Sequence, residues 1–233
     1  MSLQFIMGSS GIGKTHYACE QIIRESLEHP EKRYYIIVPE QFTMQTQRNV
    51  VEMHPGKGIL NIDVLSFERL AYRIFEEVGG AREVLLDDTG KSMVLAKLVQ
   101  KHKKELPYLG SQMNKAGYLD EVKSLISEFM QYDVKEEEME EMLEKAGEES
   151  LLYRKMKDVK LLYTSFKEYL EGHYITGEGV MDALRAAIPF SAKMKNSVVL
   201  LDGYTGFTPI QLHVIRELLI VCDRILVTVT MDA

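Results

Sequence analysis

With 233 residues, 45% of them hydrophobic and 27% charged, and no Pro-, Gly- or Ser-rich tract, the chain has the make-up of a globular protein of one or two domains rather than a disordered or fibrous one. A formal charge of −7 argues against a surface that binds a polyanion over its whole extent, while leaving room for a local basic groove. No apolar run approaches the roughly 20 residues that cross a bilayer and the amino terminus lacks a signal-peptide layout, so a cytoplasmic protein without membrane contact is expected.

The first predicted element is a strand, "LQFIM" (3–7). It runs into "GSSGIGKT", which fits G-x-x-x-x-G-K-[ST] through Gly8, Gly13, Lys14 and Thr15, and the helical "HYACEQIIRESL" follows. Strand, loop and helix in that order are the context a phosphate-binding loop requires. Its glycines let the backbone N–H groups from Gly8 through Ser9, Ser10 and Gly11 to Gly13 turn inward around phosphates, and the helix amino end adds a positive dipole. Lys14 is expected to reach the β- and γ-phosphates and the Thr15 hydroxyl to sit on Mg²⁺, which makes ATP with Mg²⁺ the expected ligand.

Further strands are predicted at "YYIIV" (34–38), "ILNIDVL" (59–65), "SVVLL" (197–201) and "RILVTVT" (224–230). They are apolar at nearly every position, as parallel strands buried on both faces are, and helical stretches alternate with them. Between about residues 80 and 192 the pattern turns helical, with no strand. In "ESLLYRKMKDVKLLYTSFKEYLEGHY", Leu152, Met156, Val159, Tyr163, Phe166 and Leu170 fall at steps of three or four, as on one buried helix face. The acidic "VKEEEMEEMLEKAGEE" reads as a solvated helix face behind an apolar stripe of Met139, Met142 and Leu143. The expected fold is α/β: a P-loop (RecA-like) parallel sheet flanked by helices, residues 1–79 and 193–233, interrupted by a mainly helical insert, residues 80–192. Cys19 and Cys222 have no metal-ligand spacing and read as buried free thiols.

A hydrolysing P-loop enzyme holds Mg²⁺ with an acid at the end of another apolar strand and places a second carboxylate beside it to activate water. "SVVLLDGYTGFTP" offers Asp202, either as the metal-side carboxylate or as a strand-end aspartate capping a turn. Gly203 follows, with no Glu or Asp before the next helix, so the base for water is missing. Asp232, past the last strand, is an alternative acidic partner. Nucleotide is expected to be held without efficient turnover, no catalytic residue is assigned, and Gly203→Glu is the change expected to bring partial hydrolysis.

"FIMGSSGIGKT", "IIVPEQFTMQTQ", "IDVLSFERLAYRIFEEVGG", "LDDTGKSMVL" and "LLDGYTGFTPIQL" together resemble the amino-terminal region of the AddB (RexB-type) subunit of bacterial ATP-dependent helicase-nucleases, and more distantly the first motor domain of UvrD-like superfamily 1 helicases. In those helicases the segments corresponding to "VPEQFTMQ" and "VLSFERLAYRIF" line the single-strand DNA path. The resemblance therefore makes Gln41, Phe42, Ser66, Phe67 and Arg69 candidates for DNA contact, with core packing as the other reading for both phenylalanines. It further implies an AddA-type partner supplying the active motor, work on double-strand DNA ends in recombinational repair, and a nuclease domain with an iron-sulfur cluster beyond residue 233. The final "TVTMDA", after a strand, fits a piece of a longer protein. Two departures stand out: Asp202-Gly203 replaces the Asp-Glu of UvrD-like helicases, and the chain starts too close to its phosphate loop to carry their adenine-contacting glutamine.

A different class remains open, a self-contained P-loop ATPase or small-molecule kinase with the helical insert as a lid. There "KLVQKHKK" (97–104) either clamps phosphates or is a solvated helix end.

Overall fold

The computed structural model describes residues 2–80, 83–112 and 117–231. In chain order the elements are β1 (Ser2–Gly8), α1 (Lys14–Glu28), β2 (Arg33–Ile37), α2 (Thr43–Met53), β3 (Ile62–Leu65), α3 (Phe67–Val78), β4 (Val84–Leu85), α4 (Asp88–Lys101), α5 (Leu109–Gln112), α6 (Tyr118–Gln131), α7 (Glu136–Ala146), α8 (Leu151–Leu170), β5 (Tyr174–Ile175), α9 (Gly177–Ala187), α10 (Ala192–Lys195), β6 (Ser197–Leu201), α11 (Pro209–Val221) and β7 (Arg224–Thr230). They fall into two compact units, Met1–Gly80 with Met181–Ala233, and Ala81–Val180.

The first unit is a three-layer α/β structure. Its sheet has the order β1-β7-β6-β2-β3 with every neighbouring pair parallel. Side chains alternate across it. Tyr34, Ile36, Ile62, Val64, Val198, Leu200 and Leu226 form one cluster with Ala18, Cys19, Ile22 and Ile23 of α1 and Val50 of α2. The residues one step out of phase, Tyr35, Ile37, Val199, Leu201, Ile225 and Val227, are also buried. α3 packs beside β3 and α11 beside β7 on that second face. Burial on both faces explains why these strands lack polar alternation.

The sequence expects a strand from residue 59, but β3 begins at Ile62. Leu60 is fully exposed, and Asn61, whose carbonyl accepts from the Tyr34 N–H at 2.8 Å, uses its side chain to donate to the carbonyls of Ser26 in α1 and Lys32 at 3.1 and 3.2 Å, so it ties the entry of β3 to α1 and the β2 approach. The return from the second unit also comes earlier than residue 193. Ile188 and Met194 are completely buried, and the 3-10 turn Ile188–Phe190 and α10 pack on α11. Glu77 of α3 clamps this segment, accepting from the Ser191 hydroxyl at 2.6 Å and from the Ala192 and Lys193 N–H groups at 2.8 and 3.1 Å.

The second unit is built from α4 to α8 around Leu95, Leu98, Ile126, Leu162 and Phe166. The buried charged groups Asp158, Lys91 and Glu178 have their needs met. Asp158 accepts from the Tyr108 and Leu109 N–H groups at 3.0 and 2.8 Å, and the Lys91 ammonium donates to both Glu178 oxygens at 3.0 Å and to Ser127 at 3.2 Å. Three expectations are corrected here. A short parallel pair, β4 with β5, occurs where no strand was expected. Leu152, in the first turn of α8, is 57% exposed because that turn projects past the core, whereas Val159, Tyr163, Phe166 and Leu170 further along are buried. On α7, Met139 and Leu143 face inward and Met142 does not.

Candidate nucleotide-binding site

The loop between β1 and α1 gets its shape from its glycines. Gly11 and Gly13 have φ of 78° and 96°, the left-handed region that L side chains avoid. Gly13 caps α1 with no side-chain bond, and the first turn of α1 carries no acid, so its N–H groups present a positive end to an anion. Lys14 folds back across the loop and donates to the carbonyls of Gly8 and Ser9 at 3.0 and 2.8 Å.

Across from this loop stands Asp202, one residue past β6, its N–H bonded to the Ile37 carbonyl at 3.0 Å. Although 187 residues separate them, the Thr15 hydroxyl donates to Asp202 Oδ1 at 2.9 Å. A second hydroxyl, that of Thr228 on β7, donates to the same oxygen at 2.6 Å. The carboxylate is buried and aimed at the loop. Sequence spacing does not single out Thr228, a threonine within the buried stretch of β7. Gly203 follows with φ 77°. Asp232 lies outside the described residues.

These groups line a cleft of about 710 Å³ at the carboxyl ends of the strands, the side on which open α/β sheets take ligands. Gly11, Gly13, Lys14 and Thr15 form one wall, Asn49 and Met53 of α2 another, and Tyr204 a third. Cys19 sits at its floor, its thiol pushed up to about 12 by burial and by the Asp202 charge. Among the described residues no cluster of three His, Cys, Asp or Glu side chains could hold a metal by itself. The hard-oxygen pair Thr15 and Asp202 does fit Mg²⁺, which takes one or two protein oxygens and completes its shell from phosphate and water. With two cysteines in the chain, a four-thiolate iron-sulfur site does not fit these residues.

The other candidates gather at the carboxyl ends of β2 and β3. Gln41 and Phe42 lie in a 3-10 turn, Glu40–Phe42, with Phe42 48% exposed. Ser66 caps α3 by accepting from the Arg69 N–H at 3.3 Å and is buried. Arg69 Nε and Nη2 donate to Glu40 Oε1 at 3.0 and 2.7 Å, so this pair ties the two segments together. The Ser66 hydroxyl, with Arg69, holds the Glu40 carboxyl below its usual range. Phe67 is buried, its ring 5.7 Å from that of Tyr204, which leaves its faces to protein neighbours.

The family described as ADDB, N-terminal, matches residues 5–233. The chain belongs to that family. Its relatives include an ATP-dependent helicase/deoxyribonuclease subunit from Lachnoclostridium phytofermentans, 44% identical over 232 residues, and the proteins of the same description from Alkaliphilus metalliredigens, 34% identical over 232 residues, and Bacillus cereus, 32% identical over 239 residues. All of this chain is covered in each match, and it spans 20% of each relative's length. Among the described residues of this AddB amino-terminal region, no helix is long and apolar enough to cross a membrane.

Proposed function

We propose that the α/β unit holds ATP in the cleft as part of a helicase-nuclease subunit that works with an AddA-type partner on DNA ends in double-strand break repair and recombination. The observation that carries this reading is the 2.9 Å bond between Thr15 and Asp202, which brings the two metal-side oxygens of a P-loop site together. Lys14 exchanges its bonds to the Gly8 and Ser9 carbonyls for the β- and γ-phosphates, and the first-turn N–H groups of α1 accept the remaining charge. Thr15 and Asp202 would hold Mg²⁺, which when bound would supply neutralisation of phosphate charge. No acid follows Asp202 to draw a proton from water, so nucleotide is held longer than it is turned over.

Single-stranded DNA passes over the carboxyl ends of β2 and β3. Phe42, the exposed aromatic there, stacks a base, a contact worth about 1–3 kcal/mol. Gln41 and Arg69 contact the backbone, while Ser66 and Phe67 support the segment from below. Tyr204 lines the nucleotide cleft and also packs on Phe67, which supports a link between the two ligands.

Equilibrium titration with ATP and Mg²⁺ tests this reading. Lys14→Ala is expected to weaken binding by about one to two orders of magnitude, the loss of charge-assisted bonds of about 1.5–3 kcal/mol. Equal affinity in both forms overturns the site. Steady-state turnover of about 1–100 per second by the chain alone overturns the holding role in favour of a self-contained enzyme.

A further inference from the structure

Lysines crowd the run 97–104, and Lys97, Lys101, Lys103 and Lys104 are all exposed. A helix end accounts for one of them. α4 stops at Lys101, so Lys103 and Lys104 lie past the turn whose carbonyls attract cations, and Lys97 lies ahead of it. The run is laid antiparallel along α8. Lys97 Nζ stands 5.0 Å from the Tyr169 ring centre, and His102 Nε2 is 3.4 Å from the Ser165 hydroxyl. Further on, the Tyr108 and Leu109 N–H groups bond Asp158, and Lys155 Nζ stands 5.2 Å from the Tyr108 ring centre. Lys155, Asp158, Ser165 and Tyr169 fall on one stripe of α8, about 21 Å long at about 1.5 Å per residue. Arg154, one turn before Asp158, and Lys157 beside it add two more exposed cations. The nearby carboxylates are engaged elsewhere: Glu105 pairs with His102 at 3.2 Å, Asp158 takes backbone N–H groups, and Glu136 and Glu140 meet Lys160.

We propose that this strip of the second unit is a contact surface for the phosphate backbone of duplex DNA, an inference that rests on the proposed reading of DNA as the substrate. The chain carries a formal charge of −7, so a line of exposed cations without carboxylate partners among the described residues makes a local field opposite in sign to the molecule. Charge complementarity selects a polyanion, and the aromatic rings select its form. Sites for single strands combine cations with open rings on which bases stack. Here the rings are taken: Tyr169 holds Lys97 and stacks on Tyr174 at 5.9 Å and 7°, and Tyr108 holds Lys155. The groups left to a ligand are ammonium and guanidinium, which bind phosphate oxygens and read no base. A duplex offers one charge per about 1.7 Å of its axis, dense enough to meet every cation along the strip.

The full-length polypeptide, assembled with its partner subunit and free of nucleotide, provides the test. Lys101→Gln, Lys104→Gln and Lys157→Gln combined change exposed side chains only. Affinity for a blunt-ended hairpin duplex is expected to fall, with a salt slope shallower by about 1 for each phosphate contact removed, while affinity for a single-stranded oligonucleotide stays unchanged. In the natural protein, a duplex carrying azidophenacyl groups on its backbone is expected to label peptides within residues 97–108 or 154–157. An unchanged duplex slope overturns the proposal, as does labelling confined to other peptides. An equal loss with the single strand overturns it by assigning the strip to unwound DNA, and loss of the partner subunit with duplex binding intact overturns it by assigning the strip to a protein interface. Phe42→Ala is expected to lower single-strand affinity alone. A natural complex that binds neither form of DNA overturns the reading beneath this inference, whereas natural duplex binding by the triple variant overturns the inference and leaves that reading standing.

Discussion

The backbone at Gly203 turns through φ 77°, a conformation that costs a residue with a Cβ roughly 1–2 kcal/mol. Space is not the obstacle, since a Cβ there would lie 3.6 Å from Pro39 Cδ and 3.9 Å from Phe42 Cδ2, ordinary contact distances. Gly203→Ala and Gly203→Glu are both expected to lower the melting temperature by about 2–4 °C for each kcal/mol lost. The Glu variant is expected to show partial phosphate release in a steady-state assay despite that penalty, provided its carboxylate reaches the cleft beside Asp202. Sustained release would show that the turn relaxes. The turn of the glycine loop was legible because it is local, eight consecutive residues between a strand and a helix. The hydroxyl of Thr228 was not, because no local spacing announces which residue of a distant strand will meet Asp202.

Among the elements, α3 carries the clearest pH handle. Burial alone would push the Glu77 carboxyl up, but bonds from Ser191, Lys193 and Ala192 and the Lys193 charge outweigh it and hold its pKa below the ordinary 4.5. The stabilisation this ionised clamp gives is complete above pH 4.5 and is lost as pH falls through the lower folded-state value. Glu77→Ala is expected to destabilise the α/β unit by about 1–2 kcal/mol near pH 7, and the gap to the natural protein should narrow in urea melts below pH 4. A gap that stays constant down to pH 2 would assign the loss to packing instead. The strands were readable because burial on both faces leaves unbroken apolar runs. β4 and β5 were not, since two residues have no periodicity, and the overextended start of β3 reflects Leu60, an apolar residue that stays in solvent.

For the molecule as a whole, the two thiols report on integrity. Burial pushes Cys19 up to about 12 and Cys222 up to about 11, with the Asp202 charge adding to the first and Asp223 to the second against a Ser197 hydrogen bond. At pH 8 the reactive thiolate is then roughly one part in a thousand or less. The folded protein is expected to give no colour with an aromatic disulfide reagent, and both thiols should react together when the α/β unit unfolds; rapid reaction of either in native buffer would contradict the packing around α1 or β6. The division of the chain shows in the sequence as a change of hydrophobic period, whereas the position of the return lies in the burial of Ile188 and Met194, which a helical pattern does not separate from the insert.

Thr15 stands near the start of the chain, Asp202 and Thr228 near its finish, and the core of the second unit is drawn from residues between them. A ribosome therefore releases all of that helical core before the loop's carboxylate and hydroxyl partners have been made. The cradle is therefore completed only after that core has been made, so on the proposed reading ATP, which stabilises only what binds it, would exert no hold on the growing chain before Asp202 and Thr228 are in place.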